Sequence, residues 1–262
     1  MPPPRVLPFP SEETFVNLNI FNRPGCVNKL PVLMVGWLFV ATAAQGSPFT
    51  YIYTNWSTAT DSTGTTNGSV SGTLTIGAQT INVNYTGDVA FAQVGAGGTD
   101  YYIPASVYTN SQVANVPTNN NIIALSESRA FTDTLTFSTP LVNPILDIVS
   151  LGQPGDAVSY NFNAIPVILS QGAGGVFGGC STCLSVTGNS LNGTEGDGVV
   201  EFVGTFNSLA WTTTNGEFWN GFTLGVQGVG ASGVPEPATW STILLALGLA
   251  APVVWRHRKR VF

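Results

Sequence analysis

The chain has 262 residues, only 8% of them charged, with 8 Lys/Arg against 14 Asp/Glu for a formal net charge of −6. Between residues 44 and 233 one basic residue, Arg129, faces eleven acidic ones, a net of −10 that leaves nothing to neutralise phosphates and excludes nucleic acid as a partner of that segment. Its single histidine is His257 and no lysine lies between Lys29 and Lys259, which excludes His-activated Ser or Cys nucleophiles and Schiff-base chemistry over the same stretch.

In chain order, the first element is an apolar run, Leu30 to Val40, preceded by Lys29 and followed by Ala41-Thr42-Ala43. A basic flank, a short apolar core and small residues in A-x-A spacing define a secretory signal peptide, and the run is short for a membrane span. Cleavage after Ala43 and after Gly46 both fit. Residues 1–26 are Pro-rich and carry Glu12 and Glu13, which suits a leader poorly and leaves open a start downstream of Met1. Residues 1–43 are therefore assigned to leader and signal peptide.

Residues 44–233 suit one domain. Period-two alternation predicts strands at Tyr51-Ile52-Tyr53, Thr73 to Ile76, Ile81 to Tyr85, Thr134 to Phe137, Leu209-Ala210-Trp211 and Phe222 to Val226. Gly87, Gly152, Pro154-Gly155 and Gly188 punctuate them, and Asn215-Gly216 is the strongest hairpin signal. No stretch of ten residues has helical periodicity. The expected fold is all-β, a β-sandwich or jelly-roll-like ectodomain.

Within it, Cys180 and Cys183 read as a small disulfide loop in an exported protein, a redox dithiol being the alternative. Cys26 falls in the leader. Glu195, Asp197 and Glu201 lie in the Gly-rich stretch GTEGDGVVEF. Such oxygens can hold a structural Ca²⁺, a carboxylate pair can cleave glycosides, and a plain solvated turn fits as well. No other cofactor is expected. Exposed aromatic faces can take sugar rings. Trp211, on an alternating strand, is expected in the core, whereas Tyr101-Tyr102 and Trp219 are the better surface candidates; Trp56 and Phe218 complete the set.

The last element is an uncharged run, Ala238 to Trp255, with Trp240 and Trp255 near its ends and Arg256, His257, Arg258, Lys259 and Arg260 behind it. Eighteen residues at about 1.5 Å each make a helix of roughly 27 Å, enough for a bilayer core, and the cations keep the C-terminus inside. A single C-terminal transmembrane helix is expected there. Ahead of it stands Val234-Pro235-Glu236-Pro237, whose prolines hold the backbone extended. This order of motif, apolar helix and basic tail over residues 234–262 resembles the PEP-CTERM sorting signal. The resemblance implies export, a temporary anchor in the inner membrane and cleavage by an exosortase. Residues 130–226 are similar to the bodies of other such proteins, none of assigned function. Such tails belong to bacteria that make exopolysaccharide. The resemblance therefore implies a non-catalytic protein of the cell surface or extracellular matrix; a carbohydrate-binding module and a glycoside-active enzyme are the alternatives, and polysaccharide is the expected partner.

Overall fold

The computed structural model describes residues 47–126 and 131–228. The signal peptide, the sorting motif, the expected transmembrane helix and the basic tail lie outside the described residues. Among the described residues no helix is long and apolar enough to cross a membrane.

The described chain is almost entirely strand. In order it forms β1 (Tyr51–Tyr53), β2 (Asn55–Thr60), β3 (Gly68–Ile76), β4 (Gln79–Gly87), β5 (Phe91–Gln93), a short helix α1 (Ala105–Tyr108) and β6 (Ile122–Leu125). There follow β7 (Thr132–Val142), β8 (Ile145–Leu151), β9 (Val158–Phe162), β10 (Pro166–Gln171), β11 (Leu184–Thr187), β12 (Ser190–Gly193), β13 (Gly196–Phe202), β14 (Thr205–Thr213) and β15 (Asn220–Gln227). Two antiparallel sheets result. One has the order β10-β13-β8-β15-β6-β5, with β1 also on β15; the other has β11-β12-β9-β14-β7-β4-β3-β2. The chain changes sheet between β1 and β2, where both the backbone N–H and the hydroxyl of Thr54 donate to the Leu224 carbonyl oxygen.

The two sheets obey different rules of burial. In β3, β4 and β7 buried and exposed residues alternate, so one face meets the core and the other water. Every residue of β8 is buried, and so are nearly all of β13 and β15. Their inner residues, among them Leu146, Ile148, Val200, Phe222 and Leu224, pack on Trp56, Tyr85, Leu135 and Trp211 of the opposite sheet. Rings interlock across the gap, with Trp211 and Phe222 5.2 Å apart edge to face. The outer residues Ile145, Val149 and Val199 lie under a strap, residues 94–121, which brings down Tyr102, Val107, Tyr108 and Val113 as a second core. A strand covered on both faces needs no alternation, and ILDIVSL, β8, has none.

The strap also covers Asp147, which is fully buried with both carboxyl oxygens lacking a hydrogen bond. The neighbouring Tyr53 hydroxyl donates to the Asn115 carbonyl oxygen at 3.0 Å and also lies against the Asp147 carboxyl, where it partly offsets the cost of burial. Burial pushes the Asp147 carboxyl well above the usual carboxylate range.

The expected hairpin at Asn215-Gly216 is not formed. β14 already has β7 and β9 as neighbours, and β15 has β8 on one side and β6 with β1 on the other. Neither strand has an edge free for the other. β14 alternates and serves the sheet with one wet face; β15, buried almost throughout, fits only the covered sheet. The segment between them therefore crosses the sandwich, and the Asn215 side chain donates to the Ala157 carbonyl oxygen of a neighbouring loop at 2.9 Å. The other turn signals hold: Gly152, Gly155 and Gly188 adopt φ of 76°, 88° and 61°. At Gly152 a Cβ would also lie 2.1 Å from the Gly193 carbonyl oxygen, so only glycine fits.

Candidate functional site

The end of β8, the start of β13 and the start of β15 meet at one end of the covered sheet, as the registers Leu151↔Gly196 and Val149↔Gly221 require. The β8–β13 ladder then skips: Gly198 pairs with Ile148, so β8 holds one residue more than its partner. The extra length falls at Ser150, whose φ of 58° marks a bulge. Directly across, Glu195 has φ of 67°. Left-handed backbone at two adjacent non-glycine residues is costly and persists only where surroundings hold it. Here the Ser150 hydroxyl donates to Glu195 Oε1, and the Ser150 N–H donates to Asp197 Oδ1 at 3.0 Å.

The segment after β14 closes the site from the other side. Glu217 is buried and accepts a hydrogen bond from Asn220 Nδ2 at 2.8 Å on Oε2; Asn220 in turn accepts from the Tyr160 hydroxyl on Oδ1. Between Glu195 and Glu217 opens a cavity of about 310 Å³ whose rim also includes Ser150, Gln153, Phe177 and Trp219. Its aromatic wall is continuous. The ring centroids of Phe177 and Trp219 are 4.8 Å apart, and Tyr101 from the strap lies 5.3 Å from Trp219. Phe218, 90% exposed, stands at the mouth.

Burial pushes the Glu217 carboxyl up to about 7, against hydrogen bonds from Gly152 and Asn220, and the Glu195 charge adds to the rise. Burial likewise raises Asp197 to about 6. One carboxylate of the site is therefore half-protonated near neutral pH and can donate as well as accept hydrogen bonds.

The acidic cluster read from the sequence is divided by this geometry. Glu195 lines the cavity. Asp197 turns under the strap, where the Tyr108 hydroxyl donates to Oδ1 at 3.2 Å and Oδ2 faces Gly175 and Gly179. Glu201 is four residues further along β13, a rise of roughly 13 Å, opposite Ile145. The expected three-carboxylate Ca²⁺ ligand set is thus corrected: among the described residues no group of three His, Cys, Asp or Glu side chains is placed to hold a metal. Cys180 and Cys183 are joined in a disulfide, their Cα atoms 5.1 Å apart, in the loop that also carries Phe177 to the rim. Trp211 and Trp56 are core residues. Of the expected surface aromatics, Trp219 and Tyr101 are half-buried in the wall, but Tyr102 is fully buried beneath the strap, where its hydroxyl donates to the Asn121 carbonyl oxygen. Glu217, Ser150 and Phe177 are site residues the sequence reading did not single out. Glu217 sits in Glu-Phe-Trp, a carboxylate beside two aromatics, which was a usable signal; Ser150, inside an apolar strand, offered none.

Against known proteins, residues 233–259 match the PEP-CTERM protein-sorting motif. The match implies an exported protein, held transiently in the membrane and processed by an exosortase. No curated protein and no solved structure matches the chain.

Proposed function

We propose that the chain is a surface or matrix protein whose folded domain binds a neutral saccharide in the cavity between Glu195 and Glu217. The observation that carries the reading is the pairing of an aromatic wall, Phe177 and Trp219 backed by Tyr101, with two hydrogen-bonding carboxylates in one cleft of about 310 Å³. Pyranose rings present apolar C–H faces to aromatic rings and hydroxyls to carboxylates, and a cleft of this size holds one or two of them. The domain's net charge of −10 disfavours uronates and sulfated sugars, hence the restriction to neutral ones. Polysaccharide of the bacterium's own matrix fits this chemistry and the export implied by the sorting motif. A glycan array followed by titration calorimetry tests it: neutral oligosaccharides should bind and Trp219→Ala should weaken that binding roughly 30-fold. Retention by anionic glycans alone, or unchanged binding by that variant, would sink the reading.

A second reading, glycoside hydrolysis, is favoured by one observation: Glu195 and Glu217 line the same cleft and Glu217 is raised to about 7, which suits a general acid. Reducing ends released from a bound oligosaccharide by the native chain and not by Glu217→Gln would support it. Binding without release leaves the domain a binder.

A further inference from the structure

The end of the sandwich opposite the cavity has its own character. The registers Gly225↔Ile145 and Glu201↔Ile145 put the finish of β15 and β13 beside the start of β8, and Pro166↔Phe202 adds the start of β10. Two turns are locked together there. The Asn143 N–H donates to the Gly204 carbonyl oxygen and the Gly204 N–H to Asn143 Oδ1, both at 2.8 Å. Three large apolar side chains are exposed at this end: Val142 at 59% and Val203 at 65% beside these turns, and Ile165 at 66% just ahead of β10. Val142 is adjacent to Val203 through the locked turns, and Ile165 precedes the residue paired with Phe202. No charged residue occurs in 141–146, 161–168 or 202–208. Most acidic side chains lie at the other end, Asp61, Asp88 and Asp133 beyond the far ends of β2, β4 and β7 and Asp156, Glu195 and Glu217 around the cavity. This end has Glu201 opposite Ile145 and the buried Asp147 two residues further along β8.

The chain leaves the domain through this end. Gln227, the last residue of β15, pairs with Tyr51, and the Gly228 N–H donates to the Thr50 carbonyl oxygen at 2.9 Å. Nine residues, 229–237, then separate Gly228 from the start of the apolar run at Ala238. Even fully extended they reach only roughly 30 Å, about the length of β15 itself, eight residues at roughly 3.3 Å each. A membrane holding residues 238–255 is therefore tethered to this end and stays within about one strand length of it. Turning the more acidic end toward anionic headgroups would cost more Coulomb repulsion, whereas the Val142, Ile165 and Val203 tips give an apolar contact with Glu201 as the acidic side chain beside it.

We propose that this end, with Val142, Ile165 and Val203 at its tip, rests on the lipid surface while the chain is membrane-held, so that the cavity faces away from the bilayer. The contact is small and reversible, and it ends when the segment carrying the sorting motif is cut. The proposal rests on the transient anchor that the motif implies, not on the saccharide reading.

The test uses the full chain in nanodiscs of phosphatidylethanolamine and phosphatidylglycerol, in a Cys26→Ser background. An environment-sensitive fluorophore is attached at Thr205→Cys, which pairs with Val142, or at the far-end residue Phe218→Cys. Spin-labelled lipid headgroups should quench the first probe and leave the second unquenched. Adding Val142→Asp and Val203→Asp should remove the quenching at position 205 while the chain still co-purifies with the discs. Equal quenching at both positions, quenching at neither, or quenching at 205 that survives the aspartates would overturn the proposal. A chain that fails to co-purify with discs would refute the anchor instead, which is a separate result.

Discussion

The two ends of the sandwich are made from the same strands and differ in almost everything else. At the β8–β9 end the backbone is bulged, two non-glycine residues are left-handed, and two carboxylates, one of them of raised pKa, line a cavity. At the β7–β8 end the turns are locked by paired hydrogen bonds, uncharged and tipped with valine and isoleucine. Antiparallel strands explain how both can coexist, since each strand delivers its first residue to one end and its last to the other. A short stretch such as GDGVVEF can therefore begin in a polar site and finish next to a plain turn. Strain and buried charge are tolerated at one end because the strap, the disulfide loop and the crossing segment all brace it.

Substitutions at each end, and one between them, test this division. The largest effect belongs between the ends. Trp211 is buried against Tyr85, Tyr160, Phe162 and Phe222, so Trp211→Ala should cost about 3–5 kcal/mol of stability, read by denaturant unfolding, and abolish both ends together. Trp219→Ala should act on one end only. It should weaken saccharide binding by about 2 kcal/mol, roughly 30-fold by calorimetry, and leave the melting temperature nearly unchanged.

Third comes pH. Burial raises Asp197 to about 6 and Glu217 to about 7, and raises Asp133 and Asp147 as well. The folded chain then holds protons that the unfolded chain has released, so stability falls as pH climbs from about 4 to about 7, and the raised Asp147 acts in the same direction. The melting temperature should be higher at pH 5 than at pH 8. Asp147→Asn should flatten the profile, because its carboxylate is the most deeply buried of the four. A curve that rises over the same range would contradict these placements. The smallest effect is expected at the far end: Val142→Asp alone should change stability by no more than about 0.5 kcal/mol and binding not at all.

How much of this could be read without coordinates follows from which face of a strand is wet. β3, β4 and β7 alternate because water touches one face, and their strands stood out. β8 and β13 are dry on both faces, so period two vanished and with it the bulge at Ser150. Asn215-Gly216 misled because a turn dipeptide reports local geometry, whereas strand pairing is decided by which edges remain open. The acidic cluster was half-right. Glu195 belongs to the site, but its partner Glu217 is 22 residues away in sequence and reaches it only because the chain crosses between sheets. The aromatic signal was truer for Trp219 than for Tyr102, whose place under the strap depends on a loop of 28 residues with no periodicity of its own.

The pairing of β1 with β15 has a consequence for redesign. The described chain begins and finishes side by side, with the Thr50 carbonyl and the Gly228 amide already hydrogen-bonded. A short linker across that gap would close the backbone into a loop, and the chain could then be reopened at the tight Thr187–Ser190 turn, where Gly188 has open space around it. Such a circular permutant would keep every ladder while moving both termini from the β1–β15 pair to the β11 edge of the other sheet, turning the sandwich into a cassette that can be joined from either sheet.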